Sequence, residues 1–261
     1  MIFSYVDNFI ERYADPRTNN YLIGRSILYP ISILFVYLLF VYKIGPWFMK
    51  DKKPYNCRNW IIAFDILQIF LNFYIAIKAI KAYFSIPGTF FCLELDGSNS
   101  PAALNVLSLA YGYHVLKLSD MIDTVFFILK ASYRQANYLH IYHHTIMIFF
   151  SWYALKFVPG GQGAYIGITN CIVHVLMYSY YLLSTINPKY RNNISLKKSI
   201  TTIQLVQFVF LGIMFTSSMR PSCKFPKSMS MICIVQSTYF CYLFGKFYYE
   251  NYIKVKPGKK H

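Results

Sequence analysis

The chain has 261 residues, of which 56% are hydrophobic, 20% aromatic and only 14% charged, with a formal net charge of +16; an ordinary globular domain carries about 25% charged residues. High hydrophobicity excludes intrinsic disorder, which needs low hydrophobicity together with high net charge. Basic residues spread between long apolar runs argue against nucleic-acid binding, which gathers them on one face. An all-α, polytopic membrane protein with basic loops remains.

A helix needs about 20 apolar residues to cross a hydrocarbon core of roughly 30 Å. In chain order, seven segments of a single 1–261 membrane domain qualify: 26–43, 61–83, 107–130, 139–157, 163–185, 199–218 and 229–250. Lys117, Asp120 and Asp123 interrupt the third. Gly45-Pro46, Pro87-Gly88, Pro159-Gly160-Gly161 and Pro221 mark the ends. Residues 1–25 include Asp7, Glu11, Arg12, Asp15 and Arg17 and lack a long apolar core, so no cleavable signal peptide is expected. The first span then acts as its own insertion signal.

Lys and Arg in short loops set orientation. One set of loops holds Lys50, Lys52, Lys53, Arg58, Lys130, Arg134, Lys189, Arg191, Lys197 and Lys198, and the tail adds Lys254, Lys256, Lys259 and Lys260. The other set holds half as many: Arg12, Arg17, Arg25, Lys156, Arg220, Lys224 and Lys227. The bias places the carboxyl terminus in the cytosol and the amino terminus outside it, with the 220–227 loop dissenting. Cys92 and Cys223 then fall in two non-cytosolic loops where oxidation is possible. They are expected to pair; the alternative is two free thiols. The sequon Asn193-Ile194-Ser195 falls in a cytosolic loop and is expected to stay unmodified.

Ionisable groups inside a span are costly and point to function. Here they form stripes at helical spacing. Lys117, Asp120, Asp123 and Thr124 mark the third span, and His140, His143 and His144 the fourth. Asn170, His174 and Tyr178 mark the fifth, and Thr201, Gln204 and Gln207 the sixth. With alternating span direction all four stripes fall between the midplane and the cytosolic end, as a polar chamber open to the cytosol requires. Isolated Gln, Thr and Tyr residues can instead tie helices together for about 1 kcal/mol each. His114 is read as packing, and Asp65 and Lys246 as snorkelling or locally paired groups near span ends. One HxxHH box plus His174 is few ligands for the two irons of a membrane oxidase, and a zinc site would need added carboxylates. Clustered imidazoles with Asp neighbours fit proton transfer and nucleophilic acyl chemistry without a metal or other cofactor. A seven-helix transporter or receptor, and a His-box di-iron lipid oxidase, are the alternatives.

Four stretches then resemble, in order, the motifs of the very-long-chain fatty acid elongases, the ELO family of 3-ketoacyl-CoA synthases. KLSDMIDTVFF at 117–127 resembles KxxExxDT(V)FF, with Asp120 where the family usually has Glu. LHIYHHT at 139–145 resembles the LHxYHH box. NCIVHVLMYSYY at 170–181 is similar to NxxVHxxMYxYY, and TTIQLVQF at 201–208 to TxxQxxQF. Asp15-Pro16-Arg17 and Lys43-Ile44-Gly45-Pro46 also look like family features. Lys259-Lys260-His261 resembles an endoplasmic-reticulum retrieval signal with altered spacing.

The resemblance implies a seven-helix enzyme of the endoplasmic reticulum membrane, six helices surrounding an acyl tunnel closed at the lumenal end. Its partners would be acyl-CoA, malonyl-CoA and the bilayer, with a homodimer and other elongation-cycle enzymes as further associates. It implies condensation of the two thioesters to 3-ketoacyl-CoA, CoA and carbon dioxide. Of the cysteines, only Cys171 lies near a histidine stripe, so the candidate nucleophile is His143, or alternatively His174. His140, His144 and Asn170 are expected to supply donors to developing oxyanions. Asp120 and Asp123 would orient imidazoles, and Lys117 would neutralise them or bind a carboxylate. Thr124, Tyr178, Gln204 and Gln207 are expected to contact substrate. Lys130, Arg134, Lys189 and Arg191 either bind CoA phosphates or only set topology. Chain length would be read near 84–92 and 211–220, with Phe215 or Met219 as a floor.

Overall fold

The structure, a computed structural model, describes residue 6 and residues 10–21 and 26–254. Asp7, Arg25, Lys256, Lys259, Lys260 and His261, which entered the readings above, lie outside the described residues. Helices α1 (Leu28–Met49), α2 (Arg58–Tyr83), α3 (Pro101–Ser119), α4 (Met121–Leu129), α5 (Tyr138–Phe157), α6 (Ala164–Ile186), α7 (Pro188–Arg191), α8 (Ile194–Ser217) and α9 (Lys227–Tyr248, running on through a π turn to Ile253) carry the fold. Among the described residues one small hairpin, β1 (Gly88–Thr89) with β2 (Cys92–Leu93), departs from the all-α expectation, in the loop between α2 and α3.

Among the described residues, five helical stretches are long and apolar enough to cross a membrane: Leu28–Met49, Arg58–Tyr83, Gly161–Ile186, Ile194–Ser217 and Lys227–Ile253. They correspond to the first, second, fifth, sixth and seventh expected spans, and they make this a multi-pass membrane protein. The third segment is helical but interrupted at Asp120, and the fourth, α5, carries three imidazoles and Lys156. The outward faces agree with a lipid environment: Phe35, Phe70, Val206 and Val235 are each at least 60% exposed. Large apolar side chains can stay outside where the solvent is hydrocarbon.

The chain folds as two compact units, Met1–Arg58 with Asp96–Gly163, and Asn59–Leu95 with Ala164–His261. In the first, α3 packs on α5, α1 on α5, and α4 on the carboxyl-terminal end of α1. Tyr37, Val41, Met49, Ile128 and Ile141 form its buried apolar cluster. Ser100 and Asn137 start α3 and α5 by accepting the backbone N–H of Ala103 and His140 at 3.1 and 3.0 Å. Side-chain oxygens at these positions satisfy donors that a first helical turn leaves open.

Gly45-Pro46 does not end the first span. A π turn over Phe40–Ile44 widens the helix, the Gly45 N–H reaches back to the Phe40 carbonyl, and α1 continues to Met49. A proline tolerates a helix where the missing N–H and the ring clash are absorbed locally. Gly45 itself is required by packing, because a Cβ there would lie 2.8 Å from Ile128 Cγ2 and 2.9 Å from the Phe40 carbonyl oxygen.

The Asp15-Pro16-Arg17 motif is a strap. Asp15 accepts the Arg17 N–H and guanidinium, its own N–H donates to the Lys156 carbonyl at 2.9 Å, and Arg17 donates to the Ser98 carbonyl. Buried Lys156 donates to Asn19 at 3.1 Å.

In the second unit α8 packs along α9 and α6. Phe208 stacks on Phe240 at 4.8 Å and meets Phe244 at 5.1 Å. Cys92 and Cys223 form a disulfide with Cα atoms 5.7 Å apart, 131 residues apart in sequence. The hairpin is also held by Tyr165, whose hydroxyl donates to the Phe90 carbonyl at 2.6 Å, and by Ser217, which donates to the Phe91 carbonyl at 2.7 Å. Gly88, with φ +117°, makes the bend, and a Cβ there would overlap the Cys92 carbonyl.

The dissenting cations of the 220–227 loop have local work. The Lys227 ammonium donates to the carbonyls of Ser218, Arg220 and Cys223 at 2.7, 2.7 and 2.6 Å. Arg220 lies over the Phe91 ring, and Lys224 faces Glu94 at 3.5 Å. Lys227 thus caps the orphan carbonyls beyond α8.

Candidate active site

The expected residues divide between the two units. In the first, α3 ends in a buried ion pair: Lys117 Nζ meets Asp120 Oδ2 at 2.6 Å, both residues 1% exposed, and the ammonium lies 5.1 Å from the Tyr113 ring centre. The pair sits where α3 gives way to α4, so the expected interruption is a turn built around an i, i+3 contact. Thr124, fully buried on α4, is a junction. Its hydroxyl is 2.8 Å from Tyr37 Oη of α1 and 2.9 Å from His140 Nε2 of α5. The hydroxyl can donate in one of these contacts at most and can accept in both, so the Thr124 rotor and the His140 tautomer constrain one another. Asp123 is buried one position before it.

On α5 the His140 and His144 ring centres are 4.2 Å apart, and those of His143 and His144 5.4 Å apart. His144 is buried while His140 and His143 are half-buried. Spacing of i, i+3 and i+4 on one helix brings the three rings together. Phe127 covers His140 at 5.1 Å. With Nε2 of His140 occupied by Thr124, any further role of this ring falls to its other nitrogen. His114 is tied by Nδ1 to Ser151 at 2.8 Å, as a packing role requires.

In the second unit Asn170, His174 and Tyr178 lie buried on successive turns of α6, with the His174 and Tyr178 ring centres 5.7 Å apart. Tyr178 meets Tyr181 of its own helix at 5.9 Å and Phe64 of α2 edge-on at 6.0 Å. On α8, Thr201 and Gln207 are buried, and Gln204 Nε2 is 3.9 Å from Met177 Sδ of α6. Lys130, Arg134, Lys189 and Arg191 are all exposed, free to meet a phosphate or a headgroup. Among the described residues no group of three or more His, Cys, Asp or Glu side chains is arranged to hold a metal ion.

Two features escaped the sequence reading. Tyr37 is one of 25 tyrosines in an apolar span, and nothing local distinguishes it. Asp65 does not snorkel: it is 1% exposed, with Gln68 at 1% and Asn72 at 0% on the same face of α2. The signal was present, since the three sit at i, i+3 and i+7 within a span, with the apolar Ile66, Leu67 and Phe70 between them.

The profile of the ELO: GNS1/SUR4 family matches residues 22–260. Very long chain fatty acid elongase 1 of Mus musculus is 34% identical over 249 residues, covering 95% of this chain and 89% of the relative. Very long chain fatty acid elongase 4 of Macaca mulatta is 34% identical over 246 residues, 94% of this chain and 78% of the relative. Very long chain fatty acid elongase 7 of Rattus norvegicus is 32% identical over 252 residues, 96% of this chain and 89% of the relative. A match running nearly the whole chain, together with the imidazole and carboxylate pairs just described, makes this chain a member of the ELO family.

Proposed function

We propose that the chain is a very-long-chain fatty acid elongation enzyme that condenses a long-chain acyl-CoA with malonyl-CoA to 3-ketoacyl-CoA, carbon dioxide and CoA, as a 3-oxoacyl-CoA synthase. Family membership supports elongation. The observation that carries the condensation step is the joined set of three imidazoles and Thr124, with the buried Lys117–Asp120 pair in the same unit, in helices of a membrane protein. Such a set of desolvated groups suits acyl transfer.

A nitrogen of His143, or alternatively of His174, attacks the thioester carbonyl. The carbon–sulfur bond breaks, CoA leaves taking the imidazole proton, and an acyl-imidazole forms. Malonyl-CoA then loses carbon dioxide to leave an enolate. Its carbon bonds to the acyl carbonyl, the carbon–nitrogen bond breaks, the imidazole takes back a proton from water, and 3-ketoacyl-CoA is released. His144, Asn170 and the free nitrogen of His140 donate to the oxyanions, each worth about 10²–10³ in rate. Asp120 and Asp123 orient imidazoles, with Lys117 balancing their charge. Thr124, Tyr178, Gln204 and Gln207 contact substrate. Lys130, Arg134, Lys189 and Arg191 attract the CoA phosphates.

The reading includes seven spans with α3–α4 and α5 as the third and fourth, six of them around an acyl tunnel, in the endoplasmic reticulum membrane with the amino terminus lumenal. The Cys92–Cys223 disulfide in two loops of the non-cytosolic set supports that orientation. So does the structural role of Lys227, whose ammonium is held by three carbonyls. Chain length is read near Phe215, which is fully buried, and Met219.

The test is carbon dioxide release from malonyl-CoA by purified protein, given acyl-CoAs of different length. Turnover dependent on both thioesters is the expected result, and its absence sinks the proposal. Acyl-CoA alone should release CoA and leave a covalent adduct visible by intact mass. His143→Ala should abolish turnover in a folded protein; substantial remaining activity moves the nucleophile to His174.

A further inference from the structure

The mechanism above leaves unused the buried polar face of α2. We propose that Asp65 is a positioning residue for the condensation, fixing which nitrogen of the His174 imidazole carries the proton. The inference rests on the reaction proposed above, with the His174 imidazole taking part in it, and adds a residue to it.

Asp65, Gln68 and Asn72 are almost completely buried, while Ile66, Leu67, Phe70 and Phe73 of α2 turn outward. Gln68 and Asn72 explain one another in part: Asn72 Nδ2 donates to the Gln68 carbonyl at 2.9 Å and to Oε1 at 3.1 Å. Amide pairs of this kind tie helical turns together. A carboxyl group is poor glue in hydrocarbon, because its ionised form is costly to hold inside a span. Asp65 is the eighth residue of a 26-residue helix, about 10 Å along it, and too short to reach the end.

The contacts of α2 show what its buried face meets. Phe64, next to Asp65 on that face, puts its ring against Tyr178, and Tyr178 lies against His174 one turn away on α6. The charge inventory of this unit makes the placement meaningful. Asp65 is the only acidic residue on α2, α6 or α8. Around His174, α6 offers Tyr178 and Tyr181, and α8 brings Gln204 to Met177; all are neutral. An imidazole that attacks or donates needs a third group to hold its tautomer and orientation. In the first unit Asp120 and Asp123 are available for this. In the second, Asp65 is the carboxylate of the helix whose Phe64 packs on Tyr178, the ring beside His174.

The experiment uses the purified full chain with Asp65→Asn and Asp65→Glu, measuring kcat and KM for both thioesters, single-turnover CoA release from acyl-CoA alone, and the midpoint of thermal unfolding. Asp65→Asn keeps the shape but loses the charge, so kcat and CoA release should fall about tenfold or more while both KM values stay within about twofold and the midpoint holds. Asp65→Glu restores the carboxylate and should recover at least about threefold of the loss. Native-like kcat in Asp65→Asn, a loss that tracks the unfolding midpoint or a rise in KM, or no recovery in Asp65→Glu each overturns the proposal. A native chain that releases no carbon dioxide from malonyl-CoA refutes the condensation reading as well; native turnover with an indifferent Asp65→Asn refutes only the role of Asp65.

Discussion

Thr124 contributes a single hydroxyl, yet through it α1, α4 and α5 meet at Tyr37 and His140. Thr124→Val keeps the shape and removes the oxygen, leaving two buried polar atoms unpaired at a cost of about 1–3 kcal/mol. We expect a lower unfolding midpoint in detergent and slower single-turnover CoA release, with Thr124→Ser close to native in both; equal behaviour of the Val and Ser variants would contradict the junction. The Lys117–Asp120 pair makes a sharper demand. Lys117→Met strands a buried carboxylate and should destabilise by about 3–5 kcal/mol, whereas Lys117→Met with Asp120→Leu should recover much of that, as replacement of a whole buried pair commonly does. Thermal unfolding of the two variants decides it. Lys117, Asp120 and the histidines were legible from their spacing, because i, i+3 and i+4 positions share a helix face whatever surrounds them. Tyr37 was not legible, because its partner lies 87 residues away.

Among the elements, α1 shows how a breaker can be absorbed. Gly45-Pro46 reads as a stop, but the helix runs on through a π turn in which the Gly45 N–H reaches the Phe40 carbonyl, and the bare Cα of Gly45 lets Ile128 of α4 approach. Gly45→Ala should therefore destabilise by about 1–3 kcal/mol, the range for overpacking. Gly167→Ala is the internal control: its Cβ would meet nothing within 4 Å, and helix propensity favours the change by up to about 1 kcal/mol. Opposite shifts of the two unfolding midpoints are the expected result. The α3–α4 segment was readable as a doubtful span because charge interrupts it. That the interruption is a turn fastened by Lys117 and Asp120 depended on side-chain geometry that spacing does not supply.

For the molecule as a whole, the Cys92–Cys223 bridge closes a loop of 131 residues, and its removal by Cys92→Ser should cost about 2–5 kcal/mol. A reductant should lower the unfolding midpoint of the native chain and leave that of the variant unchanged. The sequence by itself determined the membrane character, because apolar length and loop charge are additive properties of the chain. It also determined which faces carry His140, His143, His144, His174 and their polar companions, since helical periodicity is local. Only the tertiary structure decided that Thr124 joins Tyr37 to His140, that α1 passes through Gly45-Pro46, that the cations of the 220–227 loop are spent on nearby carbonyls, rings and a carboxylate, and that Asp65 is buried instead of reaching for the interface. Each of these turns on a partner distant in sequence or on space left by a neighbouring helix, and periodicity names the face of a helix without naming what packs against it.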